Sequence, residues 1–178
     1  ALDAMRLLKG RVEVQWILQT GREDFEWAKG EVERDQLPAK VVPFLRRIHM
    51  AYAAADLVVC RSGAMTLAEI ACCGTPAILV PYPYAANDHQ AVNASNLVDR
   101  GAAAMVLDRD LTGERLAQEV AHWLADRPAL SQMSANARRF ARPDAADKIA
   151  RSLLRWSVGK KAATMTPSDA GNGEEMGH

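Results

Sequence analysis

The residues best suited to chemistry lie in the segment 61–69. Arg61, Ser62 and Gly63 stand between an apolar stretch and a helical pattern, and Glu69 follows within that pattern. A Ser-Gly pair before a helix frees main-chain N–H groups, and the helix dipole favours an anion there. Gly63 has no Cβ to obstruct a phosphate that approaches the main chain. Taken singly, these residues are more typical of a helix cap, a surface ion pair and a solvated glutamate, and only their combination at the end of a strand favours a binding site.

Glu69 adds a carboxylate to the side of this helix. It lies three residues beyond Thr66 and four beyond Met65, so the three side chains project from one side. At a rise of about 1.5 Å per residue, the carboxylate lies about 6 Å farther along the axis than the phosphate site. That position suits the vicinal hydroxyl groups of a ribose, and the Thr66 hydroxyl can assist. The segment therefore predicts a site for a phosphorylated nucleoside.

Two further groups stand where strands are predicted to end. His89 and Gln90 open a helix, and Asn93 falls one turn further on. Imidazole and amide groups both donate and accept hydrogen bonds, which suits sugar hydroxyls; the alternative is that Asp88 caps the helix and the rest is polar surface. Phe44 ends another strand, where it could stack on a flat base or belong to the core.

The elements that must position these groups alternate between strand and helix. This order is typical of an α/β fold, a Rossmann-like parallel sheet with helices on both faces. In such sheets ligands collect outside the carboxyl ends of the strands, where all three groups fall. Strands are predicted at 12–18, 39–44, 56–60, 76–82 and 102–107. Helices are predicted at 22–37, 46–55, 64–73 and 89–101. A further helix is predicted to begin after its cap residue Thr112, and two more near 128–141 and 144–156.

Composition limits the other classes of function. Of 178 residues 49% are apolar and 25% are charged, with zero net charge, which argues against a nucleic-acid surface. No uninterrupted apolar run of about 18 residues encodes a spanning helix, and the start lacks a signal peptide. Three cysteines without Cys-x-x-Cys spacing indicate neither a disulfide framework nor zinc. We predict one domain over 1–157 and a disordered tail over 158–178.

The stretch "AYAAADLVVCRSGAMTLAEIACCGTPAILVPYPYAANDHQAVNASNLVDRGAA" (51–103) resembles the carboxyl-terminal half of the MurG family. These are two-domain GT-B glycosyltransferases of peptidoglycan synthesis, and the similarity extends more loosely over 11–156. The resemblance implies a hexosyltransferase that moves N-acetylglucosamine from UDP-N-acetylglucosamine to lipid I, giving lipid II. It implies no cofactor and a cytoplasmic location, with the full-length enzyme peripheral on the cytoplasmic face of the inner membrane. The sequence shows no cluster of metal ligands, and we predict no metal requirement.

The resemblance also implies roles for single residues. Phe44 and Leu45 would line the uracil, Leu45 through its main chain. The diphosphate and ribose would face the start of the helix, at Ala64, Met65 and Thr66. Glu69 would bind the ribose hydroxyls. Gln90 and His89 would hold the hydroxyls of N-acetylglucosamine, with support from Arg61 and Asn93.

The sequence departs from the family pattern in a few places. His89 stands where some members carry a second glutamine, and Arg46-Arg47 replaces a common acidic pair. By this resemblance, we expect the family's first strand, its glycine-rich loop and its amino-terminal domain to lie outside the 178 residues, together with the acceptor site, the membrane-facing patch and the base. Two other functions stay open: a GT-B enzyme with a different acceptor, and a non-catalytic module that binds a nucleotide sugar.

Overall fold

The computed structural model describes residues 1–85 and 88–164, with side chains described as far as residue 156. The chain divides into two compact units, Ala1–Ala141 and Arg142–His178, whereas the sequence favours one domain as far as residue 157.

Helices and strands alternate through the first unit, as predicted. The helices are α1 (Leu2–Leu8), α2 (Phe25–Arg34), α3 (Ile48–Ala54), α4 (Ala64–Cys73), α5 (His89–Val98), α6 (Gly113–Ala125) and α7 (Arg127–Arg138). The strands are β1 (Trp16–Gln19), β2 (Ala39–Val42), β3 (Val58–Cys60), β4 (Ala77–Leu79) and β5 (Ala104–Met105), and a short 3-10 helix spans Asp108–Asp110.

The strands form two parallel sheets. β1 pairs with β2, so that Trp16 lies opposite Ala39. The second sheet has the order β3-β4-β5, with β4 in the centre. Because all these pairs are parallel, the carboxyl ends of the strands within each sheet lie at one edge.

Helices cover both faces of the sheet β3-β4-β5. Along β4, Ala77 and Leu79 belong to a core cluster with residues of α3, α4, α5 and α7. Ile78 points the opposite way into a second cluster with residues of α1 and α6. The alternation follows from the two-residue period of a strand, and it confirms the predicted α/β architecture with helices on both faces.

The predicted boundaries are accurate where a cap defines them. Helix α4 spans the predicted 64–73 and ends at Gly74, which adopts the left-handed conformation (φ 66°) expected after a helix. Thr112 caps α6, since its hydroxyl accepts a hydrogen bond from Arg115 N at 3.0 Å. Asp88 does not match the capping alternative: it has φ 51° and its side chain makes no capping bond.

The second unit contains α8 (Ala145–Thr164). This helix therefore continues into the segment 158–178 that the sequence predicts to be disordered. Residues 165–178 lie outside the described part of the chain.

Candidate functional site

The candidate site lies at the carboxyl ends of β3 and β4, around the start of α4. Gly63 is the cap residue of α4, with φ −65° and ψ 144°. A Cβ added to Gly63 would meet no atom within 4 Å. The first N–H groups of a helix have no acceptor within the helix itself, so this end can accept an anion. Because the φ of Gly63 suits any residue, the backbone itself does not require glycine here.

The predicted site residues after Gly63 differ in the solvent exposure of their side chains. Ala64 is exposed and Met65 is 75% exposed, whereas Thr66 and Glu69 are half-buried. No hydrogen-bond or ion-pair partner of Glu69 appears among the described residues. The predicted helix start, with its hydroxyl and carboxylate, is thus accessible.

The Glu69 carboxylate also influences Tyr52, which is buried beside it. Burial is the main cause that raises the pKa of the Tyr52 phenol to about 12, and the nearby acidic groups Cys60, Glu69 and Cys73 contribute to the same rise. Tyr52 therefore stays neutral at physiological pH.

Ser62 does not present its side chain to a ligand. It is fully buried, and its hydroxyl donates a hydrogen bond of 2.8 Å to the main-chain oxygen of Gln90. This bond joins the end of β3 to the first turn of α5. Ser62 therefore supports the site by positioning Gln90, which the sequence did not indicate.

The side chain of Gln90 has a defined orientation. Its Oε1 accepts a hydrogen bond of 3.0 Å from the main-chain N–H of Tyr82, which follows β4. Neighbouring His89 is exposed and Asn93 is half-buried on the same helix. Residues 86 and 87, just before this helix, lie outside the described part of the chain. The three predicted sugar-binding residues thus share the first turns of α5.

Among the described residues, the Arg61 side chain makes three hydrogen bonds. Its Nη1 donates to the oxygens of Val80 at 3.4 Å and Pro81 at 3.2 Å, and to Asp108 Oδ1 at 2.5 Å. Its guanidinium carbon lies 5.5 Å from the ring centroid of Tyr82. The guanidinium therefore links the ends of three neighbouring strands.

Sequence reasoning missed Asp108 and Tyr82. Both had a usable signal, because Asp108 directly follows the predicted strand 102–107 and Tyr82 ends the predicted strand 76–82. Residues at these places lie at the ligand-binding edge of a parallel sheet.

The predicted base-binding residues follow β2. Phe44 is 68% exposed, so it is not a core residue. Leu45 is half-buried, and its N–H donates a hydrogen bond of 2.9 Å to Oε1 of Gln19 at the end of β1. The Leu45 main chain is thus held in place by the neighbouring strand, and Phe44 offers an exposed ring.

A cavity of about 320 Å³ lies at the opposite end of the strands, before β3 and β4. Polar contacts line it: the Ser134 hydroxyl donates to the oxygen of Gly74, just past the end of α4, at 2.6 Å, and Arg127 pairs with Asp56, just before β3, at 2.5 Å. These contacts give the cavity a structural explanation.

The described residues contain neither a metal-ligand cluster nor a membrane-spanning helix. Nowhere in them do three or more His, Cys, Asp or Glu side chains converge as a metal site would require. None of the helices there combines the length and the apolar character needed to cross a bilayer.

Comparison with known proteins gives one consistent family. The glycosyltransferase family 28 C-terminal domain matches residues 1–149. A protein of Myxococcus xanthus (strain DK1622), named UDP-N-acetylglucosamine--N-acetylmuramyl-(pentapeptide) pyrophosphoryl-undecaprenol N-acetylglucosamine transferase, is 41% identical over 173 residues, 96% of this chain and 45% of its own length. A protein of the same name from Geobacter sp. (strain M21) is 40% identical over 154 residues, 86% of this chain and 41% of its own length.

The structural comparison agrees with the sequence comparison. The crystal structure of Acinetobacter baumannii MurG matches with a TM-score of 0.74 and 32% identity, over 86% of this chain and 46% of that chain. The chain therefore has a Rossmann-like α/β fold, and it spans less than half the length of these relatives.

Proposed function

The chain belongs to the glycosyltransferase family 28 C-terminal domain family, and from this premise we propose that it binds UDP-N-acetylglucosamine as the donor of a glycosyl transfer. The relatives at about 40% identity are named for transfer of N-acetylglucosamine from this nucleotide sugar. The chain corresponds to part of their length, so we assign it the donor-binding share of the reaction.

The observation that carries the proposal is the open start of α4 followed by the half-buried Glu69. The diphosphate lies against the main chain at Gly63, where a Cβ would have met no atom. Favourable peptide dipoles and N–H groups supply the interaction there. Glu69, for which the described residues offer no partner, accepts hydrogen bonds from the ribose hydroxyls. A carboxylate so placed favours a ribonucleotide over free diphosphate.

The two ends of the donor are bound by other elements. At one end uracil stacks on the exposed ring of Phe44, beside the main chain of Leu45. At the other end the hydroxyls of N-acetylglucosamine contact Gln90, His89 and Asn93 at the start of α5. The bond from Tyr82 N to Gln90 Oε1 supports this assignment, because it fixes the amide before the sugar binds.

The reaction itself is a displacement at the anomeric carbon with inversion. The 4-hydroxyl of the muramoyl sugar of lipid I forms the new bond, and UDP leaves with the electrons of the broken bond. This chain stabilises the leaving diphosphate through preorganised N–H groups. We assign the acceptor site, the base and the contact with the cytoplasmic face of the membrane to the portion that the longer relatives have in addition. The 178-residue chain alone is therefore expected to bind donor without turnover.

Calorimetric titration of the chain with UDP-N-acetylglucosamine, UDP and UDP-glucose tests the proposal. We expect saturable binding of UDP, and tighter binding of UDP-N-acetylglucosamine than of UDP-glucose. ADP serves as the control ligand, since it has the same diphosphate and ribose with a different base. Equal affinity for ADP and UDP would contradict the base assignment, and no binding of any of the four would contradict the function. Sugar transfer to lipid I by this chain alone would refute the assignment of the acceptor site and the base to the additional portion of the longer relatives.

A further inference from the structure

We propose that Asp108 is a positioning residue that controls how the site recognises the sugar of the donor, acting through Arg61. This inference rests on the proposed function, because it concerns the sugar-binding end of the same site. Asp108 lies just after β5 and its carboxylate is 2.5 Å from Nη1 of Arg61. It needs no contact with the donor itself.

The first step is that Asp108 holds the Arg61 guanidinium over the strand ends. Nη1 of Arg61 also donates to the oxygens of Val80 and Pro81, at the end of β4. An arginine side chain has many rotamers, and ordering it has an entropic cost. A carboxylate that accepts a charge-assisted hydrogen bond from the same nitrogen restricts it to this one arrangement.

The second step leads from Arg61 to the sugar-binding amide. The guanidinium carbon lies 5.5 Å from the centroid of the Tyr82 ring, a cation–π arrangement. The N–H of Tyr82 donates to Oε1 of Gln90 at 3.0 Å, and the oxygen of Gln90 accepts from the buried Ser62 hydroxyl at 2.8 Å. Because Ser62 follows Arg61 in the chain, these contacts form a closed ring. Movement of Arg61 therefore displaces the main chain that orients Gln90.

The third step concerns charge. Arg61 is 48% exposed and stands directly before the bend at which the diphosphate is proposed to bind. Paired with Asp108, its charge is largely neutralised; unpaired, it can turn toward the phosphates. Loss of Asp108 therefore leaves UDP binding unchanged or tighter, while it loosens the groups at the sugar end. The ratio of the Kd for UDP-N-acetylglucosamine to the Kd for UDP separates the two effects. Both ligands carry the same diphosphate, so a change at the phosphates alters both constants, whereas a change at the sugar end alters only one.

The experiment measures the Kd of UDP and of UDP-N-acetylglucosamine for wild type, Asp108→Asn and Asp108→Glu by calorimetry. We expect Asp108→Asn to raise the ratio Kd(UDP-N-acetylglucosamine)/Kd(UDP) by about 5- to 20-fold, the size expected for misplacing one hydrogen-bonding group. Asp108→Glu, which keeps the carboxylate, is expected to restore most of the ratio. Asp56→Asn is the matched control: it breaks a surface pair of the same length, with Arg127, at the opposite end of the strands.

A ligand-free readout accompanies the titrations. In 15N-labelled protein the side-chain amide resonances of Gln90, identified by their loss in Gln90→Ala, are expected to shift in Asp108→Asn and not in Asp56→Asn. If the wild type binds both ligands, and Asp108→Asn leaves the ratio of the two Kd values unchanged or raises both Kd values equally, the role of Asp108 is overturned while the proposed function stands. A wild type that binds neither ligand overturns the proposed function, and this inference with it.

Discussion

Replacing Gly63 by alanine is the sharpest test of where the diphosphate binds. The added methyl group would meet no atom of the chain within 4 Å, and φ is −65°, so the fold has room for it. Two small effects on stability oppose each other. Alanine reduces the entropy of the unfolded chain, which stabilises by about 0.4–1 kcal/mol, and it is a poorer cap residue than glycine by about 0.5–1 kcal/mol. The free energy of unfolding should therefore change little.

The effect on ligand binding should be much larger. A methyl group at Gly63 occupies the space through which a phosphate reaches the first N–H groups of α4. Losing one hydrogen bond to a charged group costs about 1.5–3 kcal/mol, which raises the Kd by about 10- to 150-fold. Calorimetry with UDP measures the loss, and thermal unfolding measured by circular dichroism verifies the fold.

Gly30 provides a matched control. It lies within α2, where an added Cβ would also meet no atom within 4 Å. Gly30→Ala should raise the free energy of unfolding by about 0.5–1 kcal/mol, because glycine is unfavourable within a helix, and should leave the Kd unchanged. If Gly63→Ala binds UDP as tightly as wild type while its fold is intact, no phosphate approaches the main chain at this bend.

Three further substitutions or reactions test other parts of the molecule. Glu69→Ala should weaken UDP binding by about 1–3 kcal/mol in calorimetry, because the ribose loses a charged acceptor; unchanged affinity would exclude the contact. Gly74→Ala should lower the free energy of unfolding by about 1–3 kcal/mol, since alanine is strained at φ 66° and its Cβ would lie within 3 Å of Arg138; an unchanged melting temperature would contradict this. Cys60, whose pKa burial raises to about 12, should react with iodoacetamide at pH 8 far more slowly than exposed Cys72, and peptide mass spectrometry after timed quenching would reveal the reverse order.

The fold was predictable from the sequence because its signals are local. Helix α4 matches its prediction at both ends, since Gly63 and Gly74 punctuate the chain there. Strand limits were less accurate, as the segment 12–18 illustrates. Val12 and Val14 pack against the core near α6, yet the ladder with β2 begins only at Trp16. Apolar alternation indicates burial, whereas a strand also requires a partner backbone, which the pattern does not specify.

In the candidate site, too, the features that local sequence determines were predictable, and those that depend on distant residues were not. Gly63 and Glu69 lie within one short segment, so their relation follows from helix geometry. The burial of Ser62 depends on Gln90, which is 28 residues away, and the position of Arg61 depends on Asp108, 47 residues away. No local pattern encodes such pairings. Only the general rule that strand ends share an edge could have suggested Asp108.

This division gives the site two separable properties. The groups proposed to bind nucleotide, the start of α4 and Glu69, belong to one helix and keep their geometry whenever that helix is formed. The groups proposed to bind sugar depend on tertiary contacts among β3, the segment after β4, α5 and Asp108. Substitutions in the first set should therefore weaken every uridine nucleotide alike, because they act on a part that all of these ligands share. Substitutions in the second set should change the choice among sugars, because they alter an arrangement that only the hexose contacts.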